Sequence, residues 1–85
     1  MENTVRDASD LKSLTGRIRY AVGRMPQAEL ARRIGISPQA VGKIMSGRTQ
    51  HVRPDTLKNI ANVTGYTIEW LTTGIGIRTA HRYLS

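Results

Sequence analysis

Apolar residues along this chain recur every three to four positions in short blocks, and each block is bounded by residues suited to starting or stopping a helix. Leu14, Ile18, Ala21 and Val22 fall at i, i+4, i+7 and i+8 behind Ser13 as a cap. They predict a first helix over about residues 13–23, with Arg17, Arg19 and Arg24 toward solvent. Pro26 suits the first turn of a second helix whose apolar face is Ala28, Leu30, Ala31 and Ile34, and Gly35 ends it. Only Ile36 separates that stop from Ser37-Pro38, a polar cap followed by a proline fitted to the first helical position. A third helix therefore begins almost at once. In it Val41, Ile44 and Met45 point one way, while Pro38, Gln39, Gly42, Lys43 and Ser46 point the other, until Gly47 stops it.

A basic stretch over residues 47–53 leads to Pro54-Asp55 and a fourth amphipathic helix carrying Leu57, Ile60, Ala61 and Val63, ended by Gly65. Thr67 caps a short fifth helix with Ile68, Trp70 and Leu71, closed by Gly74. No period-two alternation lasts six residues, so the expected fold is all-α, a compact five-helix domain. The pattern divides the chain into a polar arm over residues 1–12, a helical domain over 13–74 and a tail over 75–85. The tail mixes β-branched and aromatic residues with helix formers, which leaves a frayed end, a sixth helix and a strand all open. Trp70 reads as the core anchor of its short helix, Tyr20 and Tyr66 as packing or rim residues, and Met25 and Met45 as gap fillers.

Eighty-five residues suit one small core and leave no room for a cleft between domains. Thirteen Lys and Arg against six Asp and Glu give a formal charge of +7, which favours a polyanionic partner. The bases are concentrated in residues 11–66, where ten face only two acids, whereas residues 1–10 are net acidic. The chain has no cysteine, which excludes disulfides and thiolate metal sites, and His51 and His81 have no metal-ligand spacing, so no cofactor is expected. No stretch approaches the roughly 18 apolar residues of a membrane span, and MENTVRDASD is not a signal peptide. The expectation is a soluble, cytoplasmic protein without a membrane partner. No nucleophile, base and orienting residue cluster, so neither an enzyme nor a small-molecule site is expected. Three tyrosines, one tryptophan and no phenylalanine supply few stacking platforms for single-stranded nucleic acid.

Two helices joined by so short a turn cross steeply and lift one face of the second clear of the body. On these residues the resemblance to a family is plain. QAELARRIGISPQAVGKIMS, residues 27–46, resembles the helix-turn-helix of the lambdoid phage repressors and Cro proteins. Gln27, Ala31, Gly35, Val41 and Ile44 stand at that family's helix-start glutamine, small helix-contact residue, turn glycine and two inward aliphatics. LTGRIRYAVGRM before the motif and LKNIANVTGYTIEWLTTG after it also resemble the flanking helices, extending the likeness to residues 14–74. Met25-Pro26 departs from the family's frequent hydroxyl cap, and the loop over 47–56 is slightly longer than in some relatives.

The resemblance implies a lambda repressor-like fold whose third helix enters the major groove of double-stranded DNA. It places Pro38, Gln39 and Lys43 at base-facing positions. Chemistry agrees for two of them, since Gln39 can pair with the N6 and N7 edge of adenine and Lys43 can donate to guanine O6 and N7. Pro38 could only touch a thymine methyl, and Gly42, without a side chain, lets the helix come close. Gln27 resembles the glutamine whose amide binds a phosphate; Ser37, at the start of the third helix, and Arg48 and Arg53, in the loop after it, are the other expected phosphate contacts. Arg32 and Arg33 read as a solvated face and His51 as an exposed loop residue. The function implied is a phage-type repressor binding an inverted-repeat operator as a homodimer, with the tail as a candidate dimerisation segment. A restriction-modification controller, an antitoxin and a protein-interaction adaptor that has lost DNA binding are the alternatives.

Overall fold

The computed structural model describes residues 11–48 and 51–79. Five helices follow one another among them: α1 (Leu14–Val22), α2 (Gln27–Ile34), α3 (Pro38–Ser46), α4 (Pro54–Thr64) and α5 (Ile68–Thr73). The all-α architecture is as expected, with the helix-turn-helix at α2 and α3. Hydroxyl caps start three of the helices. Ser13 accepts from the Gly16 amide at 2.9 Å, Ser37 from Ala40 at 3.1 Å and Thr67 from Trp70 at 3.0 Å. Each relieves an amide that the first helical turn leaves without a partner. Pro26 departs slightly from expectation: with ψ near 147° it stands just outside α2 as its cap residue, and no side chain caps that helix.

The chain reverses between α2 and α3 at Gly35, whose φ of 77° lies in the left-handed region that a β-carbon disfavours. The amides of Gly35 and Ile36 both donate to the Ala31 carbonyl, at 2.8 and 3.1 Å, closing α2 within a single turn. That closure leaves Ser37 free to start α3 immediately. The core beneath draws on every helix: Ile18 and Val22 from α1, Leu30, Ala31 and Ile34 from α2, Val41 and Ile44 from α3, Leu57 and Ile60 from α4, and Trp70 and Leu71 from α5. Ala28 and Ile68, expected on apolar faces, are exposed instead, because each lies in the first turn of its helix, at the edge of the core.

Arg17 corrects the sequence reading. Expected in solvent, it is only 6% exposed. Its Nε donates to the Leu71 carbonyl at 2.7 Å, Nη2 to Thr72 at 3.0 Å and Nη1 to Leu11 at 2.8 Å. Burial desolvates the guanidinium and lowers its pKa from the ordinary arginine value. Two of the three acceptors are in the last turn of α5, where a cation also meets the negative end of the helix dipole. The hydropathy pattern treats any arginine as a solvent residue, whereas a fork of donors can be buried wherever carbonyls converge on it.

The beginning of the tail is neither frayed nor helical. Residues 75–79 turn back so that Thr67 donates its amide to the Arg78 carbonyl at 3.0 Å and its hydroxyl to the Ile77 carbonyl at 2.6 Å. A single antiparallel bridge joins Tyr66 to Thr79. Arg78 lies over the rings of Trp70 and Tyr20, 5.0 and 5.4 Å from their centroids, and Tyr66 completes the aromatic cluster 5.4 Å from Trp70. Cation–π attraction and ring packing thus hold this segment against α1 and α5. Residues 1–10 of the expected arm over 1–12, and Tyr83 and Leu84 of the tail, lie outside the described residues.

Candidate nucleic-acid interface

With Val41 and Ile44 turned into the core, helical geometry turns Ser37, Pro38, Gln39 and Lys43 outward, and all four are exposed. Gly42 sits half-buried between them, and a methyl group placed on it would meet the Gln27 Oε1 at 3.6 Å. The amide side chain at the start of α2 therefore lies alongside the outward face of α3. Gln27 is itself exposed, and the uncapped first turn of α2 leaves its amides directed outward beside it. Two expected phosphate and base ligands from different helices are thus brought together.

Ser37, Gln39, Lys43 and Arg53 line one recess of about 330 Å³ between α3 and the segment leading into α4. Pro38 and Arg48 lie outside it. Arg48 follows the end of α3, where its amide donates to the Lys43 carbonyl at 3.0 Å and the Gly47 amide to Ile44 at 3.2 Å. The backbone of the first loop residue is thereby fixed while its side chain stays exposed. Arg33 pairs with Glu29 at 2.8 Å one turn away, which offsets its charge, whereas Arg32 is exposed on the same helix. Arg19 is exposed but not idle: its Nη1 donates to the Met45 carbonyl at 3.0 Å and ties α1 to the last turn of α3.

The recess also recruits residues that sequence reasoning did not single out for this face, namely Ile36, Ala40, Val52 and Thr56, and it includes His51. Helical periodicity carries no signal for Val52 or His51, which lie in an irregular segment. Ile36 belongs to the turn, and its neighbours in space come from far along the chain. Ala40, at i+1 from Gln39 and i−3 from Lys43, could have been placed on this flank from its spacing alone.

A family model described as helix-turn-helix matches residues 24–71, more than half of the chain, from just before α2 to the buried Leu71 of α5. The chain belongs to the Cro/C1-type helix-turn-helix family. No curated protein and no solved structure matches it. This helix-turn-helix protein is accordingly a DNA-binding regulator, and DNA is its partner. In a helix-turn-helix the second helix of the motif enters the major groove, while cationic side chains and helix N-termini beside it hold the backbone. Among the described residues no helix of the protein is long and apolar enough to cross a membrane, and no three His, Cys, Asp or Glu side chains gather as a metal site.

Proposed function

We propose that this chain is a transcriptional repressor of the phage or prophage type, binding an inverted-repeat operator as a homodimer and excluding RNA polymerase from an overlapping promoter in the cytoplasm. The observation that carries this reading is the convergence of Ser37, Gln39, Lys43 and Arg53 on one exposed flank of α3, beside Gln27 from α2. Such a face offers hydrogen-bonding groups for base edges in its middle and cations or amides for phosphates around it. In this reading Pro38, Gln39, Gly42 and Lys43 meet the bases, while Gln27, Ser37, Arg48 and Arg53 hold the backbone.

Dimerisation follows from energetics, because one module of this size buries only about 600 to 1,000 Å² on DNA and two on a two-fold axis add their contacts. The tail supplies a surface for it. Ile75 and Ile77 are 71% and 75% exposed, while Arg78, Thr67 and the bridge to Tyr66 hold the backbone that carries them. Selection of bound sites from random duplex DNA tests the whole reading. Expected is an inverted repeat whose half-site centres lie about 10 bp apart, one helical turn. Recovery of no preferred sequence, or of an unrepeated half-site by a protein that sediments as a monomer at all concentrations, refutes the operator-dimer reading. Ile75→Ser with Ile77→Ser should weaken self-association and leave the helical signal unchanged, which locates the dimer contact.

A further inference from the structure

His51 belongs to an irregular basic stretch, and the sequence pattern gives it no work. The structure anchors that stretch beside it. Val52 packs half-buried against the core, and the Arg53 carbonyl accepts from the Leu57 amide at 2.9 Å, at the entry to α4. His51 and Arg53 are both exposed, one on each side of the anchored Val52. Both line the recess that Lys43 borders from α3, so the imidazole is carried on the face that the proposed function turns toward DNA.

The fixed charges around that recess have one sign. Lys43 comes from α3 and Arg53 from the segment before α4, while the turn and α4 contribute only the uncharged Ile36, Ser37 and Thr56. Asp55, the acid in the first turn of α4, is not one of the residues of the recess. Among the described residues, then, no carboxylate of the chain lines the recess beside His51. A duplex brings the missing anion. Phosphates drawn to this rim lie near the imidazole, and an anion within about 4 to 6 Å of a histidine favours its charged form. Imidazole is the side chain whose ordinary charge change falls between about pH 5 and 8. Docking on DNA is thereby coupled to the uptake of a proton.

We infer that His51 is a proton-dependent phosphate ligand: charged, it adds a third cation to the rim formed by Lys43 and Arg53 and tightens the complex, and neutral, it adds none. Linkage fixes the direction. An imidazole whose charged form is favoured on DNA strengthens binding in full below the pH at which it titrates in the free protein. That gain is lost as pH rises through the higher value it has in the complex. Operator occupancy therefore rises as the surroundings acidify. The inference rests on the proposed docking of α3 and Arg53 on DNA, and its test separates the two.

The affinity of the full chain for the operator found by selection is measured between about pH 5.5 and 8, with its salt dependence at each end. Expected is binding about three- to sevenfold tighter per protomer at the acidic end, as a gain of roughly half to one pH unit on DNA would produce. The slope of log K against log salt concentration should be steeper there by about 1 per protomer, because a phosphate contact has been added. His51→Gln should flatten the pH profile at its alkaline level, and His51→Lys, charged throughout, should flatten it near its acidic level. Both should keep the selected sequence. His81→Gln, which removes the chain's other histidine, should keep the wild-type profile. A flat profile in the wild type, one that persists in His51→Gln, or one lost in His81→Gln overturns the inference and leaves the repressor reading intact. Failure to select any operator overturns both.

Discussion

In the proposed interface Gln39 and Gln27 are the same side chain with different work, and position alone separates them. Gln39 stands exposed on α3 at the edge of the recess, whereas Gln27 reaches from the start of α2 to lie beside Gly42. Gln39→Ala should cost about 1 to 3 kcal/mol at the preferred half-site and relax the preference at one base pair, as binding-site selection on the variant would record. Gln27→Ala should weaken preferred and random DNA by similar factors and leave the selected sequence unchanged. Gly42 between them yields a sharper contrast. It lies inside α3 with a methyl's nearest neighbour at an ordinary 3.6 Å, so Gly42→Ala meets no clash and gains helix propensity. Thermal unfolding should show the variant more stable by about 0.5 to 1 kcal/mol. DNA binding should fall, because the added methyl would occupy the proposed line of approach between helix and groove. A variant that is both more stable and equally tight would remove Gly42 from the contact surface.

Helix boundaries are the part of this fold that local chemistry determines, and they were legible in the sequence for that reason. Ser13, Ser37 and Thr67 cap where a hydroxyl precedes an apolar stripe, and Gly35, Gly47, Gly65 and Gly74 end helices with positive φ. The outward residues of α3 were legible too, because one periodicity assigns both its faces. Contacts that join distant elements were not. Arg17 belongs to no stripe, and its burial depends on carbonyls of Leu71 and Thr72 more than fifty residues away. The same holds for the recess, which needs the turn, α3 and the 51–53 segment together. The tail's sequence leaves its structure open, because its pairing is with Tyr66 and Thr67, which no local preference reveals. Arg17 allows a test of such inter-element bonding. Arg17→Met leaves three carbonyls without their donor, two of them at the end of α5, and should lower stability by about 2 to 4 kcal/mol in urea unfolding. Arg17→Lys should recover only part of that, since one ammonium cannot reproduce the three-pronged fork. A near-neutral Arg17→Met would mean that the packing of α1 on α5 holds without it.

At the scale of the whole molecule the formal charge of +7 overstates what a duplex can use, because the structure commits some of it elsewhere. Arg17 is buried on carbonyls, Arg33 is paired with Glu29, and Arg78 lies on Trp70 and Tyr20. Lys43, Arg48 and Arg53 remain exposed on or beside α3, and with one further contact such as Arg32 they amount to three or four cations per protomer. The proposed dimer would then neutralise about six to eight phosphates, which would set the slope of log K against log salt concentration at roughly −5 to −7. The whole positive charge of the chain, counted without the structure, would demand a much steeper slope. Single substitutions apportion it. If Arg53 holds a phosphate as proposed, Arg53→Gln should make the slope shallower by about 2 for the proposed dimer, while preserving the selected sequence. Arg78→Gln should leave the slope unchanged and instead alter Trp70 fluorescence, because its charge is spent on the aromatic cluster and not on DNA. Equal changes of slope in the two variants would show that proximity to α3 does not decide which cations meet phosphate, and that the duplex is held by the diffuse charge of the whole chain.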